Sequence, residues 1–200
     1  MDNASIADDL EFDTLMPDAP FRELHSRVID QPVDQVWESF LSLSSDEIRL
    51  LAPLLQLRGL PHKLIAKPGP SPVGKRPALE LFADEGFVML RQDGEPLDGR
   101  AVLIFGATGQ FWSPAHNKPV GFDSPADFID FDEPGNAKTV ARFEARAEGE
   151  SRTRLETETL VVGTDPASTK KFALYWAIIR GPSGLLRRSW LAGVDRRANK

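Results

Sequence analysis

His25, His62 and His116 are the only imidazoles in the chain, and they lie far apart in sequence. None belongs to an HxH, HxxxH or HExxH arrangement, the spacings that bring two ring nitrogens to one metal ion. The chain has no cysteine, which removes thiolate nucleophiles, Cys-ligated zinc and disulfides. The expectation is therefore no metal and no cofactor. Gly181-Pro182-Ser183-Gly184 is not a nucleophile elbow, because an elbow follows a strand and Ser183 sits within a helical stripe. It reads as a small residue at a kink, the alternative being a hydroxyl turned into a cavity. Tyr175, the only tyrosine, could bond a ligand carbonyl, and Arg180 could hold a carboxylate. Either could equally cap a carbonyl or face water. Asp127 and Asp130 would serve acid–base work only if burial pushed their pKa values apart; they read as solvated or turn-facing groups.

The elements that must position these groups follow from periodicity and turn chemistry. Phe21 to Ile29 reads as a strand with Leu24, Ser26 and Val28 on one face and Glu23, His25 and Arg27 on the other. Pro32 opens a helix carrying Val33, Val36, Trp37 and Phe40. Ser44 and Glu47 form a capping box for a second helix, which buries Ile48, Leu51 and Leu55 and kinks or stops at Pro53. Residues 61–77 hold five prolines and two glycines and read as a loop.

Six strand-like runs follow, at 78–83, 86–92, 100–112, 126–132, 137–147 and 152–162. Short turns between them imply an antiparallel meander, with Pro134 and Gly135 suited to the centre of a type II turn. Gly106 and Gly109 interrupt an apolar strand and read as a bulge or a close backbone approach. In the last run Arg152, Arg154, Glu156 and Glu158 share a face. Opposite charges on neighbouring strands attract, so this face is expected beside Glu23, His25 and Arg27, on the outside of the sheet. Asp165 and Pro166 cap a helix whose stripe runs through Phe172, Trp176, Ile179, Ser183, Leu186, Trp190 and Val194. The stripe keeps phase across Gly181-Pro182, where a kink or break is expected.

Net charge is −6, and residues 1–20 carry six acids with no Lys or Arg. Residues 1–18 read as an acidic disordered tail, and 19–200 as one domain. An acidic chain with one basic terminus is a weak footprint for nucleic acid. No apolar run approaches a membrane span, and no signal peptide opens the chain. A cytoplasmic location is expected.

The order strand, two short helices, six strands, long helix resembles the START-like helix-grip superfamily, which includes polyketide cyclases and lipid-transfer proteins. Phe21 through Pro32 with Val36-Trp37 is similar to that superfamily's first strand and helix. Gly106-Ala107-Thr108-Gly109-Gln110-Phe111-Trp112 and the segment from Tyr175-Trp176 to Trp190-Leu191 resemble an uncharacterised bacterial branch of it. The resemblance implies an α+β fold, a curved seven-stranded antiparallel sheet around a long, kinked C-terminal helix, enclosing an apolar cavity. It supplies no universal catalytic residue. The candidate cavity wall is Phe87, Met89, Phe105, Trp112, Phe128, Phe143, Phe172, Tyr175, Trp176, Ile179 and Ser183. The expected partner is a small apolar molecule (a lipid, an aromatic or a polyketide-like compound), carried without catalysis. The alternatives are a cyclase, aromatase or dehydratase acting on such a molecule, and a protein-interaction module.

Overall fold

The structure is a computed structural model and describes residues 12–52, 74–84, 86–113 and 120–200. His62, His116, Leu55 and Pro53, and most of the proline-rich loop, lie outside the described residues. Five strands form one antiparallel sheet: β1 Phe21–Ile29, β2 Val88–Gln92, β3 Arg100–Gly109, β4 Ala137–Ala147 and β5 Thr153–Gly163. Their spatial order is β1-β5-β4-β3-β2. The helices are α1 Phe12–Leu15, α2 Val33–Leu41, α3 Glu80–Asp84, α4 Pro125–Asp130 and α5 Pro166–Ala198, with a 3-10 turn at Ser45–Glu47. A long helix laid on one face of an antiparallel sheet agrees broadly with a helix-grip arrangement.

Two of the seven expected strands are helices. At α4 the Ser124 hydroxyl accepts from Asp127 N at 3.2 Å and Pro125 occupies the first turn, so the backbone enters a helix rather than extending. At α3 the amides of Glu80, Leu81 and Phe82 bond back to the carbonyls of Pro77, Ala78 and Leu79. That turn sets the Phe82 ring 4.0 Å from the Phe105 ring, centroid to centroid. Pro182 belongs to the same helix as the residues on either side of it, in keeping with the phase that the apolar stripe holds across Gly181-Pro182. It lies inside α5 without breaking it. The carbonyl that loses its partner belongs to Ile178, on the outward side of the helix, where water can take the bond.

Elements pack on both faces of the sheet. The inner face meets α2, the 3-10 turn, α3 and the C-terminal half of α5 in an aromatic core. Trp37 stacks on Phe40 and Trp190 lies 5.5 Å from Phe143. A second inner cluster gathers Phe172 with Phe21, Phe111, Trp112, Tyr175 and Trp176 around Ala137 and Val161. The outer face carries Val102, Ile104, Val140 and Leu160 under Phe12, Met16 and Phe128. Beside them lies a buried charge network. Arg142 bridges Glu144 and Glu158, and Arg100 and Arg146 complete the shell of Glu144. Burial alone would raise the Glu144 pKa, but the hydrogen bonds from Arg100 and Arg146 and the Arg142 charge hold it below the ordinary carboxylate value.

Phe12 is 2% exposed and the Arg142 guanidinium sits 4.9 Å from its ring. Residues 12–18, expected as part of a disordered tail, thus begin with a docked helical turn. Phe12, Leu15 of the same turn and Met16 just after it fall at helical spacing and find an apolar strip to cover.

Candidate functional site

The first strand lies the other way round from the expectation. β1 does pair antiparallel with β5, but His25 stands opposite Thr157 and Glu23 opposite Thr159, on the inner face. Glu23 is buried, whereas Leu24 is 50% and Val28 42% exposed. The charged side faces inward because α5, running in the same direction as β1, supplies matching charges. Arg187 Nη1 donates to Glu23 Oε2 at 3.2 Å, and Arg27 Nη2 pairs with Asp195 Oδ2 at 2.6 Å. His25 Nε2 lies 2.8 Å from Glu23 Oε1. Burial pushes the Arg187 guanidinium below its ordinary pKa, and the Glu23 carboxylate pulls it back up.

Gly184 makes this packing feasible. A Cβ at that position would lie 2.6 Å from Glu23 Oε1 and 3.1 Å from His25 Nε2. The Gly181-Pro182-Ser183-Gly184 stretch is thus the point where the helix backbone comes down onto a buried ion pair. Ser183 itself is half-buried.

The Glu23–His25–Arg187 group sits between the two inner aromatic clusters. Around it lie polar atoms with no hydrogen-bond partner among the described residues. Thr157 Oγ1, Thr159 Oγ1 and Trp190 Nε1 are buried without a hydrogen-bond partner. Thr157 is the cross-strand neighbour of both His25 and Phe143, and Trp190 packs on Phe143. Leaving such groups unpaired costs about 1–3 kcal/mol each. On the solvent side of the same seam, His25, Ser26, Arg27, Arg188 and Leu191 line a half-open cleft of about 230 Å³. His25 belongs to both the buried group and the cleft.

The expected wall residues separate into five places. Phe87, Phe105 and Phe143 belong to the core beside Trp190. Trp112, Phe172, Tyr175 and Trp176 form the second inner cluster. Ile179 and Ser183 are half-buried on α5 between the two. Phe128 is on the opposite face of the sheet: its ring lies against Gly106, where a Cβ would meet it at 2.5 Å. This close approach explains the glycine, and it removes Phe128 from the inner wall. Met89, at the β2 edge, is 42% exposed. Sequence reasoning missed Glu23, Arg187, Thr157, Thr159 and Trp190 Nε1 as a group. The chain carries its parts, an alternating Glu23, His25, Arg27 series and an Arg187 and Asp195 pair at helical spacing, but nothing local joins them before β1 and α5 meet.

Among the described residues no group of three or more His, Asp and Glu side chains is placed to hold a metal ion. No described helix is long and apolar enough to cross a membrane.

No protein-family model and no curated protein matches the chain. Solved structures give distant likenesses. A hypothetical protein from Helicobacter pylori is 9% identical over 92% of each chain, with a TM-score of 0.37. A conserved protein from Geobacillus kaustophilus is 9% identical over 90% of this chain and 95% of its own, with a TM-score of 0.41. An aromatase/cyclase from a Streptomyces species is 14% identical over 88% and 94%, with a TM-score of 0.29. Likeness at this level names no family for the chain.

Proposed function

We propose that this protein binds a small, mainly apolar molecule bearing a polar group, held between the inner face of the sheet and α5. The observation that carries the reading is the set of buried, unpartnered polar atoms, Thr157 Oγ1, Thr159 Oγ1 and Trp190 Nε1, beside the Glu23–His25–Arg187 group. Binding sites of this kind combine apolar walls with a few convergent polar groups that fix orientation. Here the walls are the Phe105, Phe143 and Trp190 cluster on one side and the Phe172 and Trp176 cluster on the other. A hydroxyl, carbonyl or carboxylate on the ligand would satisfy the threonine hydroxyls and the indole N–H.

Native mass spectrometry of the purified protein is expected to show a co-purified small molecule, and a fluorescent apolar probe is expected to titrate to saturation. A Thr157→Val, Thr159→Val double variant keeps the side-chain shape and removes both hydroxyls. It is expected to fold and to weaken retention of the co-purified molecule by about tenfold, the value of one lost hydrogen bond. A wild type with no added mass and no probe uptake would overturn the reading.

Acid–base catalysis on such a molecule is the second reading, favoured by the 2.8 Å contact between His25 Nε2 and Glu23 Oε1. A His25→Gln variant separates the two. If it carries a molecule of different mass from the wild type, the wild type converts its ligand; the same mass in both favours carriage alone.

A further inference from the structure

The outward side of α5 carries apolar residues that nothing in the described structure covers. Leu174 is 75%, Ile178 78% and Leu185 48% exposed. With Gly181 they follow one another at spacings of four, three and four, which places them on one stripe of the helix. Tyr175 and Pro182 extend the arc toward the half-buried Trp176 and Trp112. Along this length of α5 the charges have one sign. From Pro166 to Val194 the helix contains no acid, and Lys170, Lys171, Arg180 and Arg188 are exposed. Lys171 also lies 6.0 Å from the Trp112 ring.

We infer that this face of α5 docks the protein on an anionic lipid surface. A basic amphipathic helix lies in the interface plane, its apolar side chains entering the acyl boundary and its cations meeting the headgroups. Leu174, Ile178 and Leu185 project from the outward side of the helix, where a planar, fluid interface can receive them. A second copy of the chain fits poorly. Apposing two of these stripes, parallel or antiparallel, sets Lys170, Lys171 and Arg188 against one another, and like charges in contact repel. The docking inference does not rest on the interior ligand proposed above.

Co-sedimentation of the full chain with vesicles tests it. Vesicles of equal parts phosphatidylcholine and phosphatidylglycerol are compared with pure phosphatidylcholine, at low and high salt. The wild type is expected to sediment with the anionic vesicles at low salt and to be released by high salt. Leu174→Ser with Ile178→Ser, and separately Lys170→Glu with Lys171→Glu, are expected to weaken binding at least about tenfold. All four positions are exposed, so circular dichroism and melting temperature should match the wild type. Absence of binding to either vesicle overturns the inference, as does full binding by the serine variant. Binding only to an immobilised acidic helical peptide would reassign the face to a protein. Self-association abolished by the serine variant, without vesicle binding, would reassign it to a second copy.

Discussion

At the residue scale, two glycines of α5 test the buried ion pair. Gly184→Ala places a methyl group 2.6 Å from Glu23 Oε1, in a carboxylate that His25 holds at Oε1 and Arg187 at Oε2. Helix propensity favours Ala over Gly by about 1 kcal/mol, whereas overpacking at a fixed site costs about 1–3 kcal/mol. The clash is expected to win, lowering stability by up to roughly 2 kcal/mol in urea denaturation. Gly193→Ala is the control. Its added methyl would make ordinary contacts, 3.4 Å from Glu47 O and 3.5 Å from Leu43, so propensity should dominate and stability should not fall.

Glu47 gives a pH test. Burial opposes its ionisation, but hydrogen bonds from Lys200 and from Ser44, with the Arg197 charge, bring its pKa down to about 2 from 4.5. A carboxyl whose folded pKa is depressed stabilises the fold above its unfolded pKa. That contribution is lost as pH falls from about 4.5 toward 2. Melting temperatures at pH 7 and pH 3 should therefore drop further for the wild type than for Glu47→Gln, which has no proton to gain.

At the scale of elements, the terminal turn α1 invites truncation. Phe12 covers Val102, Ile104, Val140 and Leu160 and receives the Arg142 guanidinium on its ring. Phe12→Ala is expected to cost roughly 3 kcal/mol in urea denaturation, at the low end for a buried ring because a four-residue helix can shift to refill the space. Removing only residues before Phe12 leaves that contact intact and should leave the midpoint near the wild-type value.

The elements also show what could be read from the chain alone. The Asp165 cap on Ala167 N and Ser168 N and the turn at Gly135, with φ of 90°, stand where local chemistry predicted them; the Ser44 and Glu47 capping box forms too, but it closes the three-residue 3-10 turn Ser45–Glu47 instead of the helix expected there. These signals act within a few residues. The short helices α3 and α4 span five and six residues, less than two turns, so apolar periodicity cannot declare them. Ser124 before Pro125 was the available cue. The facing of β1 was not legible locally. Both of its faces mix polar with apolar groups, and Arg187 and Asp195, far along the chain, decide which side turns in. The buried polar group was missed for the same reason, since it exists only once β1, β5 and α5 are assembled.

At the scale of the whole molecule, the sheet order separates local from remote pairing. β3, β4 and β5 are antiparallel neighbours in chain order, whereas β1 joins the far side of β5. The Arg22 and Glu158 side chains that meet there are 136 residues apart, and Glu23 and Arg187 are 164 apart. Closing such long loops costs entropy before the contacts repay it. The consequence is an order of assembly. The β3-β4-β5 meander should form the folding nucleus, with β1 and α5 docking late and together through their ion pairs. Stopped-flow kinetics read this directly. Val140→Ala, in the centre of the meander, should slow refolding, while Glu23→Gln should leave refolding nearly unchanged and speed unfolding. The same charges that close the candidate site would then set how long the native state survives once formed, so the seam between β1 and α5 is where this protein would first come apart.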